Sequence, residues 1–268
     1  MSSDDLDLDA YLRRVGYTGR REPTRAVLEA LHLAHATRIP FENLDILLGQ
    51  PIRIDLASLQ EKLVAGGRGG YCYEQNLLFA AALEKVGFSV TRLAARVWYR
   101  TQRVYPRLHM LLLLVNVDGS RLIADVGFGV EGLLLPVPFE AGRESRQFAW
   151  TYRVVEVAGE WMLQSLRDGS WTNLYAFSLE PQTPVDYEPA NYYSSTHPDS
   201  RFTRTLVVQL PAPEARVALR NLELITDRGD SVTTRMLAGN DELLTVLAGT
   251  FGLRFPPRTR FAYRDTMP

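Results

Sequence analysis

Two hydrophobic periods divide the chain. Up to Gly87, apolar residues recur every three or four positions, the spacing of helices with one buried face. After it they alternate or run continuously, as strands do. The spacing predicts helices over 9–15 and 24–37, where Val27, Leu28, Leu31 and Ala34 share a face and Pro23-Thr24 supplies a start. Ile39-Pro40 ends the second, because a residue before proline is pushed out of helical geometry. Further helices are expected over 55–65, stopped by Gly66-Gly67, and from Cys72 to about residue 85, closed by Gly87. Beyond it, 90–99, 109–117 and 121–126 read as strands, the last two joined by the two-residue hairpin Asp118-Gly119. Runs over 148–157 and 160–166 pair across Ala158-Gly159. Residues 181–198 read as a Pro/Tyr/Asn/Ser-rich connector, 201–210 and 217–226 as strands, and 240–251 as a helix capped by Asn240. There is no internal repeat or low-complexity tract. The order is a helical segment, a β-rich segment and a smaller mixed one, an α+β class.

Composition narrows the function classes. A chain of 268 residues can bury one large core or two to three smaller ones. A formal net charge of −1 provides no broad surface for nucleic acid or anionic membrane. Apolar runs such as Met110 to Val115 fall far short of the roughly 18 residues needed to span a bilayer. The acidic start, Met1 to Asp5, lacks the basic and apolar regions of a signal peptide, and there is one cysteine, so a reducing cytoplasm is expected. Metal binding is not expected: His32 and His35 stand three apart without a nearby cysteine or further histidine, and read as surface or packing residues. Gly66-Gly67-Arg68-Gly69-Gly70 lacks the Lys-Ser/Thr ending and preceding strand of a phosphate loop, and reads as a flexible approach to Cys72.

Cys72 is the centre of the candidate chemistry. It lies where that glycine run enters an apolar helix, and unpaired N–H groups at a helix start stabilise a thiolate. An inert, small, buried hydrophobe is the other reading of such a residue. A cysteine nucleophile needs a base, and the base needs an acceptor that fixes its tautomer. His109 opens the apolar strand Leu108 to Val115, where a buried imidazole requires a partner; a strand-edge histidine bonded to water or backbone is the alternative. If position 117 faces 120 across the hairpin, paired positions sum to about 237. Residue 109 then falls opposite 128, a few residues from Asp125. Asp125 could instead bond its own backbone ahead of Gly127. Jointly, Cys72, His109 and Asp125 have the chain order of papain-like and transglutaminase-like sites.

Five blocks then become informative together: Ile39-Pro40-Phe41-Glu42-Asn43-Leu44-Asp45, Arg68-Gly69-Gly70-Tyr71-Cys72-Tyr73-Glu74-Gln75-Asn76, His109-Met110-Leu111-Leu112, Asp125-Val126-Gly127-Phe128-Gly129 and Ser195-Thr196-His197-Pro198. In these residues and their order, between about 6 and 210, the chain resembles the arylamine N-acetyltransferase family. Tyr71 stands where many members carry arginine. The resemblance implies a helical bundle over 1–86 carrying the cysteine, and an antiparallel β-barrel-like domain over 87–198 carrying the histidine and aspartate, with a connector from about 181. An α/β lid over 199–268 completes the implied fold. It implies ping-pong acetyl transfer from acetyl-CoA, through acetyl-Cys72, to the nitrogen or N-hydroxyl oxygen of arylamines, arylhydrazines and N-hydroxyarylamines. His109 would relay protons, Asp125 would hold it, and N–H groups at the cysteine helix start would bind the oxyanion. Phe41, Val97 and Phe128 would surround the acceptor, with core packing as their alternative role, and Gly129 would lie close to CoA. A monomer or homodimer without metal, nucleic-acid or membrane partners is expected. Competing functions are an amide synthase releasing a larger acyl chain from a carrier-protein thioester, a thiol hydrolase or transglutaminase-like enzyme, and a binding or structural domain with an inert cysteine.

Overall fold

The computed structural model describes residues 5–101, 103–129 and 131–264. Helix α1 (Leu8–Val15) starts where the Asp7 side chain accepts from Ala10 N, and α2 (Arg25–Arg38) starts at the Thr24 cap. Just ahead of Pro40 the second helix stops, and the chain enters a two-residue strand, β1 (Phe41–Glu42). Short helices α3 (Leu44–Leu47) and α4 (Leu56–Leu59) follow, and α4 continues as a π-helical turn over Gln60–Ala65. Helix α5 (Cys72–Val86) is buried on nearly every side, as a helix without a polar face must be. It closes on Gly87, whose φ of 105° suits a residue without Cβ.

The β-rich segment forms one antiparallel sheet of β2 (Ser89–Val97), β3 (His109–Val117), β4 (Ser120–Ala124), β5 (Val137–Pro138), β6 (Glu144–Gln147), β7 (Trp150–Val157), β8 (Glu160–Arg167) and β9 (Ser170–Phe177). Its order is β5-β4-β3-β2-β9-β8-β7-β6. The expected barrel-like closure is corrected here: the sheet is open, and its end strands β5 and β6 do not pair with each other. Strand β5 is two residues long and contains Pro138, which has no N–H to offer a further ladder. Helix α5 packs against β2 and β3, so the sheet and the helix share the main core.

The remaining strands, β10 (Val207–Pro211), β11 (Arg216–Arg220), β12 (Glu223–Asp227) and β13 (Val232–Met236), form a second sheet that β1 completes, with Phe41 opposite Gln209. Together with α3 and α7 (Asn240–Thr250) it encloses a smaller core. Three further expectations change. The connector 181–198 contains helix α6 (Glu188–Thr196). Residues Arg201–Thr203 form a 3-10 turn, so strand structure begins only at Val207. The run 217–226 is two strands, broken at Asn221, whose φ is 51°. Among the described residues no helix is long and apolar enough to cross a membrane.

The glycine run before Cys72 is not a flexible approach. A Cβ on Gly69 would lie 2.0 Å from the Pro40 carbonyl oxygen, and Gly70 O accepts from Glu42 N at 3.1 Å. Arg68 meets Glu42 at 2.6 Å and Asp45 at 2.8 Å, while Lys62 meets Asp45 and Glu74 at 2.7 Å each. These contacts fasten the start of α5 to β1 and α3.

Candidate active site

Cys72 is the first residue of α5 and is 5% exposed. The N–H groups of a helix's first turn have no intrahelical carbonyl partner, so those beside the thiol face outward from the helix end. Tyr71 N is satisfied by Glu74 Oε2 at 3.0 Å. Burial pushes the Glu74 pKa up to about 7, against the pull of Lys62.

His109, the first residue of β3, places Nε2 2.6 Å from Asp125 Oδ2, and both side chains are buried. The Cys72 thiol donates to Leu108 O at 3.7 Å, one residue before His109, and with Nε2 engaged by Asp125, Nδ1 is the imidazole nitrogen left for the sulfur. Burial opposes an imidazolium here, but the Asp125 carboxylate, with a smaller contribution from Cys72, holds the His109 pKa above its ordinary value. Burial also acts to raise the Asp125 pKa; His109 and hydrogen bonds from Asn76 and Gly127 nevertheless hold it below the usual carboxylate range.

The hairpin delivers this contact with a different register from the expected one. Val117 does face Ser120, but a bulge shifts the pairing so that Leu114 faces Leu122 and Leu112 faces Ala124. Pair sums therefore fall by one, and the ladder ends before Asp125, which reaches His109 from the loop after β4. Asp125 also bonds its own backbone: Oδ1 accepts from Gly127 N at 2.9 Å while Oδ2 faces the imidazole. Asp125 thus both faces the imidazole and bonds its own backbone.

Several positioning groups were not singled out from sequence. Asn76, one turn beyond Cys72 on the same helix face, donates to Met110 O at 2.7 Å and to Asp125 Oδ1 at 2.9 Å, and accepts from Val126 N at 3.1 Å. Its four-residue spacing from Cys72 was the available signal. His32 and His35 are buried, so of their two expected roles, surface or packing, it is packing that the structure shows. His32 Nδ1 donates to Leu134 O at 3.0 Å, and Nε2 accepts from Asp125 N at 3.2 Å. His35 lies between Tyr11 and Gln75, each at 2.9 Å. The described residues contain no group of three or more His, Cys, Asp or Glu side chains able to hold a metal.

Gly127 brings the Asp125 loop onto the nucleophile candidate. A Cβ there would lie 2.7 Å from Cys72 Cα and 3.0 Å from Cys72 O, which are backbone atoms that cannot turn aside. Gly127→Ala is expected to separate the loop from α5 and lower the reaction rate on the order of 10²-fold, since ångström-scale misplacement has that effect. Initial rates beside a melting curve check this; a rate within twofold of the parent would contradict so close an approach.

Aromatic rings surround the imidazole. Phe128 stands edge-on to His109 at 5.1 Å, and Tyr175 tilts against it at 4.9 Å, its hydroxyl facing Asp125 without adequate hydrogen-bond geometry. Val97 pairs with Tyr175 across β2 and β9, so the two side chains stand side by side on one face of the sheet. Phe41 is buried against Phe202 at 5.9 Å, and Phe202 against Tyr71 at 5.7 Å. At Gly129, where φ is 91°, a Cβ would approach the Phe41 ring to 3.7 Å and Gln209 Oε1 to 1.9 Å. The structure thus brings Cys72, His109, Asp125 and Phe128 together, sets Phe41 beside Gly129, and places Val97 one residue pair away from the imidazole.

A family model described as N-acetyltransferase matches residues 24–260. The chain is 37% identical to the arylamine N-acetyltransferase of Mycolicibacterium smegmatis over 253 residues, covering 92% of each chain. It is 36% identical over 249 residues to a Salmonella typhimurium protein named arylamine N-acetyltransferase / N-hydroxyarylamine O-acetyltransferase, covering 92% of this chain and 88% of that one. The structure of Mycobacterium marinum arylamine N-acetyltransferase in complex with CoA superposes with a TM-score of 0.88 at 32% identity, covering 92% of this chain and 93% of that one.

Proposed function

The chain belongs to the arylamine N-acetyltransferase family, and from that premise we propose that Cys72 carries an acetyl group from acetyl-CoA to the nitrogen of an aromatic amine, or to the oxygen of an N-hydroxyarylamine. The chain is an acyltransferase with acetyl-CoA as co-substrate. The observation that carries the mechanistic reading is the imidazole of His109 held by Asp125 at 2.6 Å, with the Cys72 thiol on the carbonyl of the preceding residue, Leu108, at 3.7 Å.

In the first half-reaction His109 Nδ1 takes the thiol proton and the sulfur attacks the thioester carbonyl. The developing oxyanion lies near the first-turn N–H groups of α5, whose unpaired donors and dipole favour negative charge. The C–S bond to CoA then breaks, and the leaving thiolate takes the proton from His109. In the second half-reaction the amine attacks acetyl-Cys72, gives its proton to His109, and the Cys72 thiolate leaves. Asp125 stabilises the imidazolium in both halves and keeps Nδ1 free to accept.

Phe128, covering His109, and Phe41 with Val97 supply the apolar walls a planar acceptor requires, and on this reading the acyl donor's arm passes the Gly129 backbone, whose Cβ side is filled by Gln209 and Phe41. On this reading residues 1–86 contribute the nucleophile, 87–198 the base and its orienter, and 199–268 a cover that shares β1 with the first part. The single free thiol suits a reducing cytoplasm.

Incubation with acetyl-CoA is expected to add one acetyl group by intact mass, discharged by an arylamine and absent in Cys72→Ala. An adduct that survives that substitution would overturn the assignment.

A further inference from the structure

A buried charge cluster that the proposed chemistry does not use lies beneath the loop carrying Phe128. Arg216, on β11, is 1% exposed, and its guanidinium lies 3.9 Å over the Trp150 ring. It donates to Gly132 O at 3.1 Å and to the Tyr152 hydroxyl, and faces Glu131 Oε2 at 3.5 Å. Glu131 also pairs with Arg167 at 2.8 Å and accepts from the Tyr99 hydroxyl at 3.0 Å. Arg167 in turn reaches Asp227 on β12 at 2.7 Å. One carboxylate therefore joins side chains at the end of β2, on β8 and on β11, and through Arg167 on β12.

Those bonds converge on a turn closed by Gly132 N donating to Gly129 O at 2.9 Å. Immediately before it stands Phe128, which packs edge-on to His109 and also against Tyr99 at 6.4 Å. Buried ion pairs add little net stability over apolar packing, because desolvation offsets the attraction. A fold that needed only cohesion here would be served as well by apolar side chains. What the cluster adds is placement: Glu131 fixes the turn to both sheets at once, and the turn fixes the ring that covers the imidazole.

We propose that Glu131 is a positioning residue for acyl transfer, holding Phe128 over His109 and thereby keeping water from the acetyl-Cys72 thioester. The proposal rests on His109 as the base. Hydrolysis of that thioester would have water add to the carbonyl and release acetate and free Cys72 thiol. Two rates test it, both read by intact mass: acetylation of Cys72 by acetyl-CoA, and decay of the acetyl-enzyme without amine. In Glu131→Gln, acetylation is expected to slow on the order of tenfold, while acceptor-independent decay quickens several-fold, because a loosened ring misplaces the base and admits water. Tyr99→Phe, which removes one bond to Glu131, should shift both rates the same way but less.

Parental values of both rates per folded molecule in Glu131→Gln would overturn the proposal, even with a lowered melting temperature, since a merely structural role gives that pattern. Should Glu131→Gln not fold, unchanged rates in Tyr99→Phe would overturn it. Failure of the underlying reading is separately visible: His109→Ala acetylated at the parental rate would remove the base, whatever the Glu131 variants do.

Discussion

Asp125→Asn is expected to lower the rate of Cys72 acetylation by about 10³- to 10⁴-fold while leaving the fold in place, by analogy with the loss of the orienting carboxylate in a serine-protease triad. The hydrogen bonds around Asp125 decide the outcome. Its Oδ1 accepts from both Asn76 Nδ2 and Gly127 N, each at 2.9 Å. An asparagine must therefore keep its carbonyl oxygen at that position, because an NH2 group there would face two donors. The amide nitrogen is then forced to the His109 side and donates to Nε2. That inverts the tautomer: Nδ1 now carries the proton and cannot take one from the thiol. The imidazolium also loses its counter-charge, and burial, unopposed, disfavours protonation. A loss of that size corresponds to about 4–5.5 kcal/mol of transition-state stabilisation. Single-turnover acetylation followed by intact mass, with a melting curve alongside, measures it. A rate within tenfold of the parent would show that Asp125 does not set the tautomer.

Local signals in the sequence were readable where one chain segment determines its own shape. Helix α5 was legible from a glycine-bounded apolar run, and the β3–β4 hairpin from Asp118-Gly119. Elements that rely on distant partners were not. Strand β9 begins with Ser170 to Asn173, which face water at least in part, and only Leu174 to Phe177 are buried, so no alternation marks it. The edge strand β13 is exposed along its length and has no buried face to produce a pattern. Helix α6 was hidden by Pro189, which breaks a helix interior but suits a first turn, where its missing N–H has no partner to lose.

The same distinction governs the site. Cys72, His109 and Asp125 stood out because each residue type is unusual in its own local setting. The groups that hold them are ordinary residues whose partners come from elsewhere: His32 receives Asp125 N across 93 positions, and the bulge that displaces the hairpin register leaves no mark in Leu114 to Val117. The open sheet is a further case, since closure depends on how its terminal strands meet, and neither strand's own sequence encodes that meeting.

The two buried histidines of α2 carry the second large expected effect, an acid-side loss of stability. Each ring nitrogen of His32 and His35 already has its partner in the neutral form. Nε2 of His32 accepts from Asp125 N, so adding a proton there would set one donor against another. Burial lowers the His32 pKa to about 4 and the His35 pKa to about 3, the hydrogen bond from His35 to Gln75 opposing the shift. In the unfolded chain both titrate near 6.5. As pH falls below that value the unfolded state takes up protons that the folded state refuses, so each histidine withdraws about 1.4 kcal/mol per pH unit down to its folded pKa. Other groups shape the net curve. Glu74, with its pKa raised to about 7, binds its proton more readily when folded and offsets one histidine between pH 7 and 4.5. The raised pKa of His109 stabilises the fold fully below 6.5 and loses that contribution only as pH rises through the folded value. Asp125, lowered, is lost only below the ordinary carboxylate range. Between pH 6.5 and 4.5 the parent should therefore lose stability with a net slope near one proton, and His35→Gln should flatten that slope by one proton, while Glu74→Gln should steepen it by one. Urea midpoints measured across this range decide the matter: a His35→Gln slope equal to the parent's would mean that His35 is charged in the folded protein. The folded protein keeps His32 neutral, and with it the bond from Asp125 N, down to about pH 4, so the fold weakens before that loop loses its acceptor.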